Sequence, residues 1–351
     1  GKMALVEKRA RSPTGDLALT EVKKPKQSGA LMTMGPERTS SMTAPIMMLQ
    51  GHGGEVLSFQ FDPSGKNCAS AGHDKDIFLW EVYGDCANYA VLKGHKAAVL
   101  QIQYSHDNEH LWSCSADKTV MLWDTETGKR VKKFAGHSSF VNTVCPSRQG
   151  DNMATSGSDD GMVFVWDPRQ RGAAVSFTDE YQVTAVEFSD DGQTVFSGGL
   201  DNEIKVWDMK MADTADSDGL RDAWSGHTDT ITGLKVSPDG TMLLSNAMDN
   251  SLRLWDTRPY VEGERCKTIM RGHSHSFEKN LLRCSWSSDM SKVAAGSSDR
   301  MVHIWDADEG KLLYKLPGHT ASVNDVSFHP LEPIVGSCSS DKKIFLGEIK
   351  V

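Results

Sequence analysis

Ser113-Cys114-Ser115-Ala116-Asp117-Lys118-Thr119-Val120-Met121-Leu122-Trp123-Asp124 reads as a strand end, a tight polar turn, and a second strand closed by Trp-Asp. Small residues lead into the turn, and the apolar run after it has strand length. The same figure recurs along the chain, with Asp six places before Trp: Asp74 and Trp80, Asp160 and Trp166, Asp201 and Trp207, Asp249 and Trp255, Asp299 and Trp305. A seventh copy begins at Asp341 but has Gly347 in the Trp place. Successive Asp residues are 43, 43, 41, 48, 50 and 42 apart. A period of this length marks one supersecondary unit repeated, because a single unit cannot bury both of its faces.

A second marker precedes most of these turns. Gly-His stands at Gly51-His52, Gly94-His95, Gly136-His137, Gly226-His227 and Gly318-His319, and in four of the five His precedes Asp by 22 residues. A unit running from Gly-His to Trp-Asp resembles the WD40 family, which implies an all-β, seven-bladed β-propeller over residues 45–351, with four strands per blade. The last copy has three strands, and Ile46-Met47-Met48-Leu49 precedes the first Gly-His without a blade of its own. That N-terminal strand is expected to complete the last blade, since closure removes open sheet edges.

Residues 1–44 lack hydrophobic periodicity and are expected to form a disordered basic tail. They hold eight Lys/Arg against four Asp/Glu, so the remainder carries 30 against 43, net −13. An acidic propeller is a poor match for a phosphate backbone and a better one for proteins. The pairs of clusters Lys8-Arg9-Ala10-Arg11 and Lys23-Lys24-Pro25-Lys26 have the form of a nuclear import address or of a solvated tail. The seven Cys contain no CxxC pair and read mostly as buried thiols in strands, which suits a reducing compartment. No apolar run is long enough for a membrane span.

Recurring His, Ser and Asp suggest a catalytic triad, but near-identical copies argue against a single reaction centre. The family resemblance implies a structural relay instead, in which Trp donates to Ser, Ser to His, and His to Asp. The positions are His52, Ser70, Asp74 and Trp80; His95, Ser113, Asp117 and Trp123; His137, Ser156, Asp160 and Trp166; His227, Ser245, Asp249 and Trp255; and His319, Ser337 and Asp341. Copy four has Thr178-Asp179 in the Gly-His place, and copy six has Ala295 in the Ser place and His273 displaced from its register. Copies four, six and seven are therefore expected to be the softest. Asp216-Ser217-Asp218-Gly219 imitates the middle of a calcium loop but lacks its first Asp and last Glu. No cofactor motif, metal-ligand spacing or small-molecule site is marked, and no enzyme activity is expected.

In this family the Gly-His loops and Asp turns share one face. Phe140, Tyr181, Leu200 and Met248 from copies three to five are candidates for a partner-binding patch there, and the inserted Phe277, Glu278 and Lys279 are a second candidate. Trp166-Asp167-Pro168-Arg169 and Trp255-Asp256-Thr257-Arg258 match the WDxR pattern of cullin-type ubiquitin-ligase substrate receptors, making Arg169 and Arg258 candidate adaptor contacts.

Several longer stretches are similar to the WD-repeat subunits of the U5 small nuclear ribonucleoprotein: Tyr83-Gly84-Asp85-Cys86-Ala87-Asn88-Tyr89, Ser245-Asn246-Ala247-Met248-Asp249-Asn250, Phe277-Glu278-Lys279-Asn280-Leu281-Leu282-Arg283-Cys284-Ser285-Trp286 and Leu313-Tyr314-Lys315-Leu316-Pro317-Gly318-His319. This resemblance implies a non-catalytic scaffold in the nucleus, acting in pre-mRNA splicing. Its partners would be the large U5 scaffold protein and other U5 proteins, with RNA contact indirect or minor.

Overall fold

The computed structural model describes residues 39–149, 152–212, 218–276 and 280–349. Among these, 28 strands form seven four-stranded antiparallel sheets, and there is no helix. The expected tail over residues 1–38, with both basic clusters, lies outside the described residues. So does the first half of the Asp-rich loop, residues 213–217.

Blade one runs outward as Val56–Phe61, Asn67–Gly72, Ile77–Glu81 and Asn88–Leu92. Blades two to six follow in chain order over residues 99–135, 141–178, 183–224, 231–271 and 284–316. Burial follows from position. The inner strands Val141–Pro146 and Val183–Phe188 are buried at every residue, because neighbouring blades cover them on both faces. The outer strand Arg130–Ala135 shows its charged residues to solvent and turns Phe134 inward. Between blades the packing is tight enough to require glycine: a Cβ on Gly336 of blade seven would lie 2.1 Å from Phe59 of blade one.

The turn quoted from copy two recurs in the backbone. The residue after each Asp is left-handed in all seven blades: Lys75, Lys118, Gly161, Asn202, Asn250, Arg300 and Lys342, with φ between 57° and 77°. The Asp side chain holds the turn; Oδ1 of Asp117, for instance, accepts the N–H of Thr119 at 3.1 Å.

A second regularity was not anticipated. Six inner strands begin with a β-bulge, whose extra residue is Leu57, Leu100, Asn142, Thr184, Thr232 or Asn324. The polar ones tie blade to blade. Asn142 Nδ2 donates to Val183 O at 3.0 Å, Thr184 Oγ1 to Ile231 O, Thr232 Oγ1 to Leu282 O at 2.9 Å, and Asn324 Nδ2 to Val56 O at 2.7 Å. Blade six has no bulge at its inner strand, which is only the short Cys284–Trp286, and Arg283 stands in the corresponding place.

Ile46–Gln50 is the outer strand of blade seven. It pairs with Lys343–Glu348 so that Met47 faces Leu346 and Met48 faces Phe345. Sequence composition placed residues 39–44 in the tail, but they lie on the ring as a strap. Met42 is 4% exposed in the core shared by blades seven and one, so burial of its side chain fixes a segment that shows no strand pattern. All seven cysteines are free, six of them buried.

Candidate functional site

Four blades carry the complete relay. In blade two, Trp123 Nε1 donates to Ser113 Oγ at 2.8 Å, Ser113 lies 2.7 Å from His95 Nε2, and His95 Nδ1 lies 3.1 Å from Asp117. Blades one, three and five repeat it: the His–Asp distances are 2.6, 3.1 and 3.0 Å, and the His–Ser distances 2.7, 2.8 and 2.6 Å. Donor chemistry fixes the direction. A carboxylate only accepts, so Nδ1 carries the proton; Nε2 then accepts from Ser, whose oxygen accepts from Trp. Each Asp also takes the N–H that follows His, as Lys96 N to Asp117 at 2.9 Å. Burial raises the Asp117 carboxyl, but bonds from His95, Thr119 and Lys96 outweigh it and hold it well below the usual range. The Ser residues of these relays have no exposed surface, so none can meet a substrate. The relay clamps the Gly-His loop to the Asp turn at one end of each blade, the upper face.

The three imperfect copies differ from one another. Blade seven keeps His319 at 2.9 Å from Ser337 and 3.1 Å from Asp341, while Phe345 packs its ring 4.7 Å from the imidazole. Blade four substitutes an ion triad. Lys205 Nζ lies 2.5 Å from Asp179 and 2.6 Å from Asp201, bridging the gap that His spans elsewhere. Burial opposes the ammonium charge, yet the two carboxylates raise the Lys205 pKa. The Thr178-Asp179 departure was the visible signal; Lys205, two places before Trp207, was missed.

Blade six repairs less. Trp305 Nε1 turns to Arg271 O at 3.1 Å, and His303 Nε2 lies 2.8 Å from Asp299. His273 and His275 both lie against Asn246 Oδ1, at 2.9 and 3.3 Å. The buried Nδ1 atoms of His273, His275 and His303 have no hydrogen-bond partner among the described residues.

The upper-face candidates in the described residues lie at the loop ends of successive blades. Asp159 N donates to Phe140 O at 3.0 Å, and Tyr181 O lies beside the Gly161 turn of the same blade. Leu200 N donates to Gln182 O at 3.1 Å, and Met248 N to Thr230 O at 2.8 Å in the next blade. Phe140, Tyr181 and Leu200 are each about half exposed, while Met248 is partly buried. Phe277, Glu278 and Lys279 lie outside the described residues. Arg169 and Arg258 sit at the opposite ends of their blades, and each guanidinium folds back on the Asp of its own motif, at 2.9 Å from Asp167 and 2.5 Å from Asp256.

Residues 81–343 match the family described as "Nucleolar protein 10-like, N-terminal domain", and residues 43–81 match "WD domain, G-beta repeat". The chain is 56% identical over 322 residues to the U5 small nuclear ribonucleoprotein 40 kDa protein of Homo sapiens, covering 92% of this chain and 88% of that one. It is 47% identical to the protein of the same name from Dictyostelium discoideum, over 92% and 89% of the two chains. It is 42% identical to the pre-mRNA-splicing factor cwf17 of Schizosaccharomyces pombe, over 92% and 94%.

Proposed function

The chain belongs to the WD40-repeat β-propellers, in the family of the U5 small nuclear ribonucleoprotein 40 kDa proteins, and from that premise we propose that it is a non-catalytic scaffold of the U5 particle acting in nuclear pre-mRNA splicing. The observation that carries this reading is similarity spread over 92% of the chain, the whole ring rather than one repeat. Its physical counterpart is a rigid platform. The relay serines are sealed inside the blades, and the exposed apolar side chains of Phe140, Tyr181 and Leu200 lie at the upper-face ends of blades three and four. Exposed aromatic and aliphatic groups beside a polar rim suit a protein partner, and the net −13 of residues 45–351 disfavours broad contact with RNA phosphates. The partner we assign to this face is the large U5 scaffold protein.

Affinity purification of the full chain from nuclear extract tests the reading. Recovery of U5 proteins together with the small nuclear RNA supports it. Recovery of a cullin-ligase adaptor without them would overturn it in favour of the WDxR arginines.

A further inference from the structure

The strap over residues 39–45 crosses the seam where the ring closes, and one carboxylate holds its Ser41. Glu332 of blade seven accepts the Ser41 N–H at 2.8 Å through Oε2 and the Ser41 hydroxyl at 2.9 Å through Oε1. Tyr83, from the loop that follows the third strand of blade one, donates to the same Oε1 at 3.1 Å. Ser40 Oγ donates to Glu348, and Thr43 Oγ1 donates to Gly84 O at 2.8 Å. Between these anchors Met42 is buried in the shared core. Every side-chain anchor named here uses a hydroxyl as donor and a carboxylate or carbonyl as acceptor.

Ser41 is itself exposed, and in the sequence Arg38 stands three residues before it, in Arg38-Thr39-Ser40-Ser41. We propose that Ser41 is a phosphorylation site for a protein kinase that selects Arg at that spacing, and that phosphorylation releases the strap from the closing seam. In the transfer the γ-phosphorus of ATP is attacked by Ser41 Oγ. The new O–P bond forms as the bond to the bridging oxygen breaks, ADP leaves, and the hydroxyl proton passes to the kinase base. The product has no hydroxyl to donate and carries about −1.5 to −2 charge. Placed where a hydroxyl now meets Glu332, and one residue from the Ser40–Glu348 bond, that charge converts attraction into repulsion. The ladder from Ile46 to Gln50 does not use these groups, so the ring stays closed while Met42, Tyr83 and Glu332 are uncovered.

The test uses the full chain with a purified Arg-directed kinase and ATP, sites being mapped by mass spectrometry and the strap followed by hydrogen exchange. Incorporation at Ser41 is expected, lost in Ser41→Ala and in Arg38→Ala and kept in Ser40→Ala. Exchange over residues 39–45 should rise on phosphorylation while residues 46–50 stay protected, and Glu332→Gln should restore part of the protection. No incorporation at Ser41, or a phosphorylated strap as protected as before, would overturn the proposal.

Discussion

Arg283 Nη2 of blade six donates to the main-chain carbonyl of Asn142 in blade three, 2.5 Å away on the far side of the channel. Its Nη1 lies 3.5 Å from the carbonyls of Thr184 and Thr232 in the two blades between. All three carbonyls belong to bulge residues, so the one blade whose inner strand lacks a bulge supplies the side chain that gathers the inner bulges of three others. Arg283 is 5% exposed, and burial lowers its pKa, with Asp325 pulling the other way.

Removing that side chain leaves a carbonyl without its charged donor. Arg283→Ala should cost about 2–4 kcal/mol, more than one neutral hydrogen bond, in urea unfolding. Arg283→Met keeps much of the volume and introduces no charge, and should cost less. Equal stability of Arg283→Ala and the parent would show that the channel bridge contributes nothing.

Blade four offers a sharper test of charge. Asp179 and Asp201 both face Lys205, with side chains 5% and 11% exposed. Lys205→Met strands two carboxylates in one buried site and should destabilise by about 3–5 kcal/mol. Adding Asp179→Asn should recover a measurable part, because one of the two like charges is gone. Thermal melts of the single and double variants read this directly.

The ring and its closure were legible because each blade repeats the same residues in register, from Asp117 and Trp123 to Asp341. The relay partners followed from the resemblance to the WD40 family, carried position by position onto those repeats. Lys205 and Arg283 were not legible, since each makes its contacts through side-chain reach between elements and occurs once. Met42 was hidden differently: a single apolar residue between Ser41 and Thr43 has no period, and only the seam beside it shows that it is buried.

The three imperfect copies should not be equally soft. Blade four replaces the missing His with Lys205, and blade seven keeps the His319 bonds to Ser337 and Asp341, with Phe345 packed on His319 as Phe78 packs on His52 in blade one. Blade six has three buried imidazole nitrogens without a partner among the described residues, and an inner strand of three residues. Its strands should therefore exchange amide protons first among the three. Blade six exchanging as slowly as blade two would contradict this.

Blade six should also set the acid response. Burial pushes His273 down to about 3, helped by the neighbouring His275 and His303, and pushes His275 down to about 4. The unfolded chain then binds more protons than the folded one below pH 6.5, so stability is lost as pH falls from 6.5 toward 4. Asp325, raised by burial to about 6, works oppositely between pH 6 and 3.8. The relay carboxylates, held low, contribute only below 3.8. His273→Gln should flatten the slope between pH 6.5 and 4 by up to about 1.4 kcal/mol per pH unit. An unchanged slope in urea titrations at pH 7.5, 6 and 5 would remove His273 from this account.

The upper-face candidates make the remaining prediction. Leu200 is half exposed, and Met248 is partly buried in the turn of the next blade. Neither belongs to a relay, so Leu200→Asp with Met248→Asp should leave the melting temperature within about 2–4 °C of the parent. At a protein interface the two carboxylates would enter a desolvated apolar contact. The loss should reach about 2 kcal/mol, roughly thirtyfold in Kd. Arg169→Ala with Arg258→Ala, at the opposite ends of their blades, should leave recovery of U5 proteins unchanged. The opposite pattern, with U5 proteins retained by the upper-face variant and lost by the arginine variant, would move the docking surface to the other face of the ring.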